Sequence, residues 1–417
     1  MPATTHSPIH ERRRLGVALA LYLALVVAII TLVPFRLVWP TELRLVGFRT
    51  VSDLVSNVVL FVPLGFFVAF AGRGRPAAVA FALSLAVELL QEAMPSRSPS
   101  AFDLVTNTLG GAVGGAAYRS VAGALGARRS RGVFALDLPL LGIVYLTVPL
   151  LWLSGLVSAG DPDRRWLAAL LPTAGIPVFA AVARHHLAAR GRPAVIAGLL
   201  AGGWAMVGLL PGWYRQPGFL LLLTGFIAIG AAVAAALTRS LPPGHGRYEV
   251  PTLRRAGVAL GLYLGLAALW PLDRLGTGWR AALALGPEPG AGTVWAILQL
   301  VELVAGATLA GYLLAELRSR AAEGSRWAQA RSALPGALLG LVLIGARGFH
   351  SMHRATLAEA VFVVLGAVSG GRMYHLQRDY VLAVLAEYRG HGPATGAAPV
   401  RKPATGDAIG EVSMQAR

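Results

Sequence analysis

Long apolar runs alternate with short, arginine-rich polar segments along most of the chain. An α-helix needs about 20 predominantly apolar residues to cross the hydrocarbon core of a bilayer. Runs that approach this length lie at about residues 15–33, 51–71, 76–94, 101–125, 136–157, 166–182, 194–210, 218–237, 256–272, 294–314, 335–349 and 356–374. The pattern predicts an all-α, polytopic integral membrane protein of about 12 transmembrane helices in three four-helix blocks. It does not fix the ends of the eleventh helix.

Polar stretches divide these runs into groups of four. A basic link follows the first group, and a loop rich in Pro, Gly and Arg follows the second. The end of the chain has too few apolar residues to build a core, which predicts disorder. The predicted boundaries are a first membrane block at residues 1–126, a middle block at 127–245, a third block at 246–380 and a disordered cytoplasmic tail at 381–417.

The composition removes several other classes of protein. Hydrophobic residues make up 55% of the chain and charged residues 14%, which is too apolar for an ordinary soluble protein. The absence of cysteine excludes disulfides, thiolate metal sites and cysteine nucleophiles. The formal net charge of +17 does not indicate nucleic-acid binding, because the arginines lie in short segments between apolar runs and no soluble basic domain carries them.

The placement of the arginines predicts the orientation. Segments on one side of the predicted membrane are rich in arginine, beginning with Arg12, Arg13 and Arg14 and continuing with the basic link near Arg131. The segments on the other side hold fewer. The positive-inside rule therefore places both termini in the cytoplasm.

Polar residues within the second, third and fourth runs are spaced to share helix faces. Positions three or four apart lie on the same side of an α-helix. Such residues are expensive in lipid unless they face one another or a wet cavity. The three sets are Asp53 and Asn57; Ser84, Glu88 and Gln91; and Asp103 and Asn107. We expect them to converge near the outer membrane interface, beside Arg97.

The order and spacing of these residues resemble the VanZ-like family of bacterial membrane proteins. The pattern has Asp and Asn ahead of Phe-x-Pro-Leu-Gly, then Ser-x-x-x-Glu-x-x-Gln, then Arg, then Asp-x-x-x-Asn-x-x-Gly-Gly. Here it falls on Asp53, Asn57, Phe61, Pro63, Leu64, Gly65, Ser84, Glu88, Gln91, Arg97, Asp103, Asn107, Gly110 and Gly111. The resemblance covers about the first third of the chain. It implies a four-helix domain in the bacterial cytoplasmic (inner) membrane, and no known reaction.

Small residues in the same region predict close helix packing. Gly110 with Gly114, and Gly111 with Gly115, form two overlapping small-xxx-small pairs, which favour close helix approach over phosphate binding. Pro63 is expected to bend its helix, and Gly65 to leave room beside the bend.

An internal similarity links the two ends of the chain. The run that begins at Arg14 is echoed by the run at Arg255, and the stretch from Asp103 aligns without a gap on the stretch from Glu359. In that register Asn107 corresponds to a valine. The third block is therefore interpreted as a degenerate VanZ-like repeat that has lost most of the polar site.

Three roles are open for the polar cluster. Buried carboxylates can act as general acids and bases, but no histidine within the motif would activate Ser84. The spacing fits no standard metal cage, so no metal and no cofactor are predicted. Arg97 and the amides could instead bind a head group through hydrogen bonds. A purely structural cluster of paired polar groups is the third reading.

The first functional hypothesis is that the protein binds or modulates envelope glycolipids, polysaccharides or cell-wall precursors, as the resemblance implies. A role in glycopeptide-antibiotic resistance is part of that hypothesis. The alternative is a membrane-embedded enzyme or transporter that acts on lipid-linked envelope intermediates. The expected partners are the bilayer and a lipid-linked sugar or cell-wall precursor, while the sequence leaves the ligand and the oligomeric state open.

Overall fold

The fold was taken from a computed structural model of the 417-residue chain. The structure describes residues 7–32, 51–72, 74–94, 99–124, 128–186, 191–212, 216–238, 249–282, 293–318, 326–350 and 355–390.

The described chain is almost entirely helical. Its α-helices are Pro8–Leu32 (α1), Val51–Phe70 (α2), Pro76–Glu92 (α3), Ala101–Ala124 (α4), Arg128–Gly160 (α5), Arg165–Leu170 (α6), Gly175–His186 (α7), Pro193–Leu209 (α8), Pro217–Leu237 (α9), Glu249–Leu269 (α10), Thr293–Arg318 (α11), Arg326–Arg347 (α12) and Leu357–Gly390 (α13). Each predicted apolar run falls on helical residues. The all-α membrane fold is therefore confirmed.

Six helical segments in the described chain are long and apolar enough to cross a membrane by length and composition. They are Asp53–Phe70, Arg165–His185, Pro193–Gly212, Pro217–Leu237, Pro251–Leu269 and Leu298–Arg318. The count of about 12 spans and their grouping into blocks remain predictions.

Two helices differ from the predicted runs. The sixth run is broken into α6 and α7 by a 3-10 turn, Leu171–Ala174, because Pro172 has no N–H for a continuous helix. The last run continues as a helix to Gly390, past the predicted start of the tail at residue 381. Tyr380 packs edge-on against Phe70, with 5.6 Å between ring centroids. Residues 391–417 lie outside the described chain.

In the first block, α2 and α4 pack at backbone distance. A Cβ atom on Gly110 would collide with the carbonyl oxygen of Val58, and one on Gly114 with that of Val62. Because glycine has no side chain, the two helices approach more closely than larger residues would allow.

A second glycine face of α4 contacts α3. A Cβ on Gly111 would collide with the side chain of Ala80, and one on Gly115 with the ring of Pro76. Gly65 of α2 lies against the carbonyl oxygen of Gly111. The two small-xxx-small pairs of α4 thus face two different helices, and they fix the register between α2, α3 and α4.

In the third block, α11 and α13 pack in the same way. A Cβ on Gly366 would press on the carbonyl oxygen of Val304, and one on Gly370 would collide with that of Thr308. Gly311 of α11 lies against the carbonyl oxygen of Ala367, as Gly65 lies against that of Gly111. These contacts follow the register in which Gly110 aligns with Gly366 and Gly114 with Gly370.

Helices assigned by prediction to different blocks also pack against one another. Helix α13 packs against α1 and α5 as well as against α11 and α12, and α10 packs against α6 and α7. The middle block is closed by α8 and α9, where Gly198 of α8 lies against the carbonyl oxygen of Ala228. One continuous apolar core therefore runs through all three blocks.

A small sheet joins two of the helix connections. The strand Ala281–Ala282 (β1) follows α10 and pairs in parallel with Ala355–Thr356 (β2), which precedes α13. His350 bridges to Leu275 beside this sheet. The sheet holds the α10–α11 connection against the α12–α13 connection, at the end of the bundle where α12 ends and α13 begins.

Candidate functional site

The end of α3 and the start of α4 share a polar cluster. The backbone N–H of Ser100 donates to Glu88 Oε2 at 2.8 Å, and Asn107 Nδ2 donates to Ser84 Oγ at 2.9 Å. Gln91 Nε2 donates to the backbone oxygen of Thr31 at 2.9 Å, which adds the end of α1. The hydrogen bonds thus connect three helices of the first block.

The polar residues of α3 and α4 are withdrawn from the surface. Ser84, Glu88, Gln91 and Asn107 are 0, 9, 8 and 4% exposed. Their spacing along α3 puts one face of that helix against α4, while Leu85 and Leu89 on the opposite side are exposed. Buried polar groups normally find partners, so an unpaired group here is informative.

Two atoms of this cluster have no hydrogen-bond partner among the described residues. They are Asn107 Oδ1 and Ser100 Oγ. Ser100 is 2% exposed, and its backbone N–H is the group that binds Glu88. The cluster therefore has hydrogen-bonding capacity to spare beside a buried carboxylate.

The remaining predicted residues are less buried or lie outside the described chain. Asp53 is exposed at the start of α2, while Asn57 and Asp103 are half-buried. Arg97 lies outside the described residues, so its predicted contact with Glu88 stays a prediction. Pro63 lies inside α2, which continues on both sides of it.

A second charged cluster was not predicted from the sequence. Arg164, which precedes α6, forms an ion pair with Glu302 of α11 at 3.1 Å, and both side chains are 3% exposed. The Tyr263 hydroxyl of α10 also donates to Glu302. Arg347 pairs with Glu359 at 3.1 Å where α12 and α13 meet.

One sequence signal could have identified the second cluster. Glu302 is the only charged residue in the run 294–314, and an isolated carboxylate in an apolar run needs a partner. Its partner Arg164 lies 138 positions away, between the fifth and sixth apolar runs. The sequence therefore indicates that Glu302 needs a partner, but not which residue provides it.

Metal binding finds no geometric support within the described residues. No group of three or more His, Asp or Glu side chains comes together there in a way that could hold a metal ion. In the first cluster, Glu88 Oε2 and Ser84 Oγ each accept a hydrogen bond from an N–H group.

The part of the chain that contains the first cluster is similar to a known protein family. Residues 19–122 match a family model described as VanZ/LLP1. No curated protein and no solved structure matches the chain. The matched residues include most of α1 and all of α2 and α3, together with α4 up to its last turn, so they include both sides of the Ser84–Asn107 hydrogen bond. The N-terminal part of the chain, residues 19–122, is VanZ-like, as the motif predicted.

Proposed function

We propose that the first polar cluster binds the head group of an envelope glycolipid or lipid-linked cell-wall precursor, without chemical conversion. The observation that supports this best is the unpaired Asn107 Oδ1 in a buried site. An unpaired buried acceptor costs about 1–3 kcal/mol. A ligand that donates an O–H or N–H group would remove that cost.

The chemistry of the site favours a ligand rich in hydrogen-bond donors. Glu88 supplies carboxylate oxygens, Asn107 an amide oxygen and Ser100 a hydroxyl. Sugars offer O–H donors and N-acetylated amino sugars also offer an amide N–H, whereas the ionised diphosphate that joins sugar and lipid offers only acceptors. We therefore favour the sugar over the phosphate portion of a lipid-linked intermediate for this site.

The enzyme alternative has less support from the same geometry. The Ser84 hydroxyl oxygen is occupied as the acceptor of Asn107 Nδ2, and buried His350 of the third block lies 3.0 Å from the backbone oxygen of Pro271 through Nε2. A serine nucleophile needs a neighbouring base within hydrogen-bond reach.

Glu88→Gln tests the binding proposal. The glutamine keeps the shape and an oxygen acceptor for Ser100 N–H, so the fold should be retained, while the loss of charge weakens hydrogen bonds to ligand donors. We expect about tenfold weaker binding of N-acetylglucosamine-diphosphate-polyprenol with an unchanged Tm. Binding would be measured on full-length protein in lauryldimethylamine oxide, which has no sugar head group.

Two comparisons make this test specific. Glu92→Gln, one turn further along α3 and half-buried, should bind the probe like the wild type. The sugar-free diphosphate-polyprenol should bind more weakly than the sugar-bearing probe to the wild type. A lower Tm with unchanged affinity would identify a structural cluster instead, and equal binding of both lipids would contradict sugar recognition.

We infer further that the third block is a degenerate copy of the first. The matching glycine contacts of α2–α4 and α11–α13 support this inference, and so does the alignment of Asp103 with Glu359. In this register Ser84 corresponds to Gly340 and Asn107 to Val363, and Gly340 lies against the side chain of Val363. The hydrogen bond of the first block is thus replaced by an apolar contact.

The orientation is tested by reporter fusions. We propose that both termini are cytoplasmic, since the arginine-rich segments alternate in that sense. A reporter fused after Arg131 should be active in the cytoplasm, and one inserted near Ser98 should be active outside. The opposite pair of signals would place the first cluster on the cytoplasmic side.

A further inference from the structure

The second charged cluster joins the middle block to the third. Arg164 comes from the connection between α5 and α6, Glu302 from α11 and Tyr263 from α10. Arg347 is the last residue of α12, and Glu359 lies in the first turn of α13. Arg164, Arg347 and Glu359 thus lie at helix ends, whereas Glu302 and Tyr263 lie within α11 and α10.

This cluster has unused hydrogen-bonding capacity of two opposite kinds. Arg164 Nη1 and Glu359 Oε2 are buried and have no hydrogen-bond partner among the described residues. The first is a donor and the second is an acceptor. Arg164 is 2% exposed, so its unpaired donor cannot be satisfied by bulk water.

Among the four charged residues of the cluster, Glu359 has the most exposed side chain. Its side chain is 17% exposed, whereas those of Arg347, Arg164 and Glu302 are 6, 3 and 3% exposed. The carboxylate of Glu359 is therefore the part of the cluster nearest the surface, and its unpaired Oε2 atom is buried just beneath. The more deeply buried Arg347, Arg164 and Glu302 are held in the two ion pairs.

We propose that this cluster is a second ligand site, and that it binds a hydroxyl-bearing, uncharged head group such as the sugar of a neutral glycolipid. A hydroxyl group both donates and accepts, so neighbouring hydroxyls of a sugar can accept from Arg164 Nη1 and donate to Glu359 Oε2. The site does not depend on the function proposed for Glu88, because it shares no residue with the first cluster.

The charge balance selects against an anionic ligand. Two arginines and two glutamates have cancelling formal charges, and each arginine already binds one carboxylate. A phosphate could accept from Arg164 Nη1, but it would add uncompensated negative charge to a buried site that already holds two carboxylates. A neutral hydroxylated group satisfies the unpaired atoms without breaking either ion pair.

Arg164→Lys removes the proposed donor and keeps the positive charge beside Glu302. The probe is monoglucosyl diacylglycerol, added to full-length protein in lauryldimethylamine oxide and measured by native mass spectrometry. We expect the variant to bind the probe about tenfold more weakly than the wild type, because one hydrogen bond from a charged donor is lost. Diacylglycerol without the sugar should bind both proteins equally weakly.

A matched control and a second variant complete the test. Arg274→Lys changes an exposed arginine that lies 3.7 Å from Asp273, and it should bind the glucolipid like the wild type. If Arg164→Lys does not assemble, Glu359→Gln tests the acceptor of the site. The glutamine places an amide NH2, which is a donor, at the position of Glu359 Oε2, where the ligand hydroxyl needs an acceptor. Equal affinity of the wild type and the assembled variant, or preferential binding of phosphatidic acid, would overturn the proposal.

Discussion

Gly114→Val is expected to prevent stable assembly of the first block. A valine Cβ would occupy the position of the Val62 carbonyl oxygen and press on the backbone N of Phe66, so α2 and α4 would have to separate. Overpacking typically costs about 1–3 kcal/mol and occasionally more, and a collision with backbone atoms belongs at the upper end of that range. The measurement is the amount of monodisperse protein after detergent extraction, together with its Tm.

The control for this prediction lies on the same helix. A Cβ on Gly123 of α4 meets nothing within 4 Å, so Gly123→Val has the same change in helix propensity and no collision. It should give near wild-type yield and Tm. Equal loss in both variants would mean that valine itself, and not the contact with α2, causes the defect.

Gly370→Val extends the prediction to the third block. Its Cβ would collide with the carbonyl oxygen of Thr308, and we expect a loss of Tm similar to that of Gly114→Val. Gly261 of α10, whose added Cβ meets nothing within 4 Å, gives the matched control. If Gly370→Val leaves Tm unchanged while Gly114→Val lowers it, the two blocks do not pack in an equivalent way.

The sequence predicted helix positions well because bilayer thickness sets the length of an apolar run. The third run was predicted at residues 76–94, and α3 spans Pro76–Glu92. The length of an apolar run did not predict where the last helix ends. Helix α13 continues to Gly390, and Tyr380, which lies beyond the predicted span, packs against Phe70.

The polar site could be predicted only as a helix face. The spacing of Ser84, Glu88 and Gln91 indicated that they lie on one side of α3, and all three are buried. The hydrogen bond from Asn107 to Ser84 depends on the axial register between α3 and α4. That register is set by contacts such as Gly111 with Ala80, which no spacing within one helix can specify.

The second cluster escaped sequence reasoning for a related reason. An ion pair needs two residues, and no pattern in the sequence connects Arg164 with a particular carboxylate. Glu302 stood alone in its run, so its need for a partner was visible in the sequence while the identity of that partner was not. Only the packing of α10 and α11 against the middle block brings Arg164 to it.

Glu302→Leu is expected to destabilise the protein strongly. The substitution leaves Arg164 charged and buried without its carboxylate, and it also removes the acceptor of the Tyr263 hydroxyl. Breaking one side of a buried ion pair costs about 3–5 kcal/mol. The unfolding free energy would be measured by titration of the detergent-solubilised protein with sodium dodecyl sulfate.

The double variant Arg164→Met with Glu302→Leu distinguishes pairing from simple loss of a side chain. Replacing both charges with apolar residues of similar volume is often neutral, because neither leaves an unpaired charge behind. We therefore expect the double variant to recover most of the stability lost in Glu302→Leu. Asp273→Ala, which breaks the exposed contact with Arg274, should have no measurable effect, since exposed pairs contribute little. A double variant no more stable than Glu302→Leu alone would show that Arg164 does not depend on Glu302 for its charge balance, and that the two blocks are held together by apolar packing.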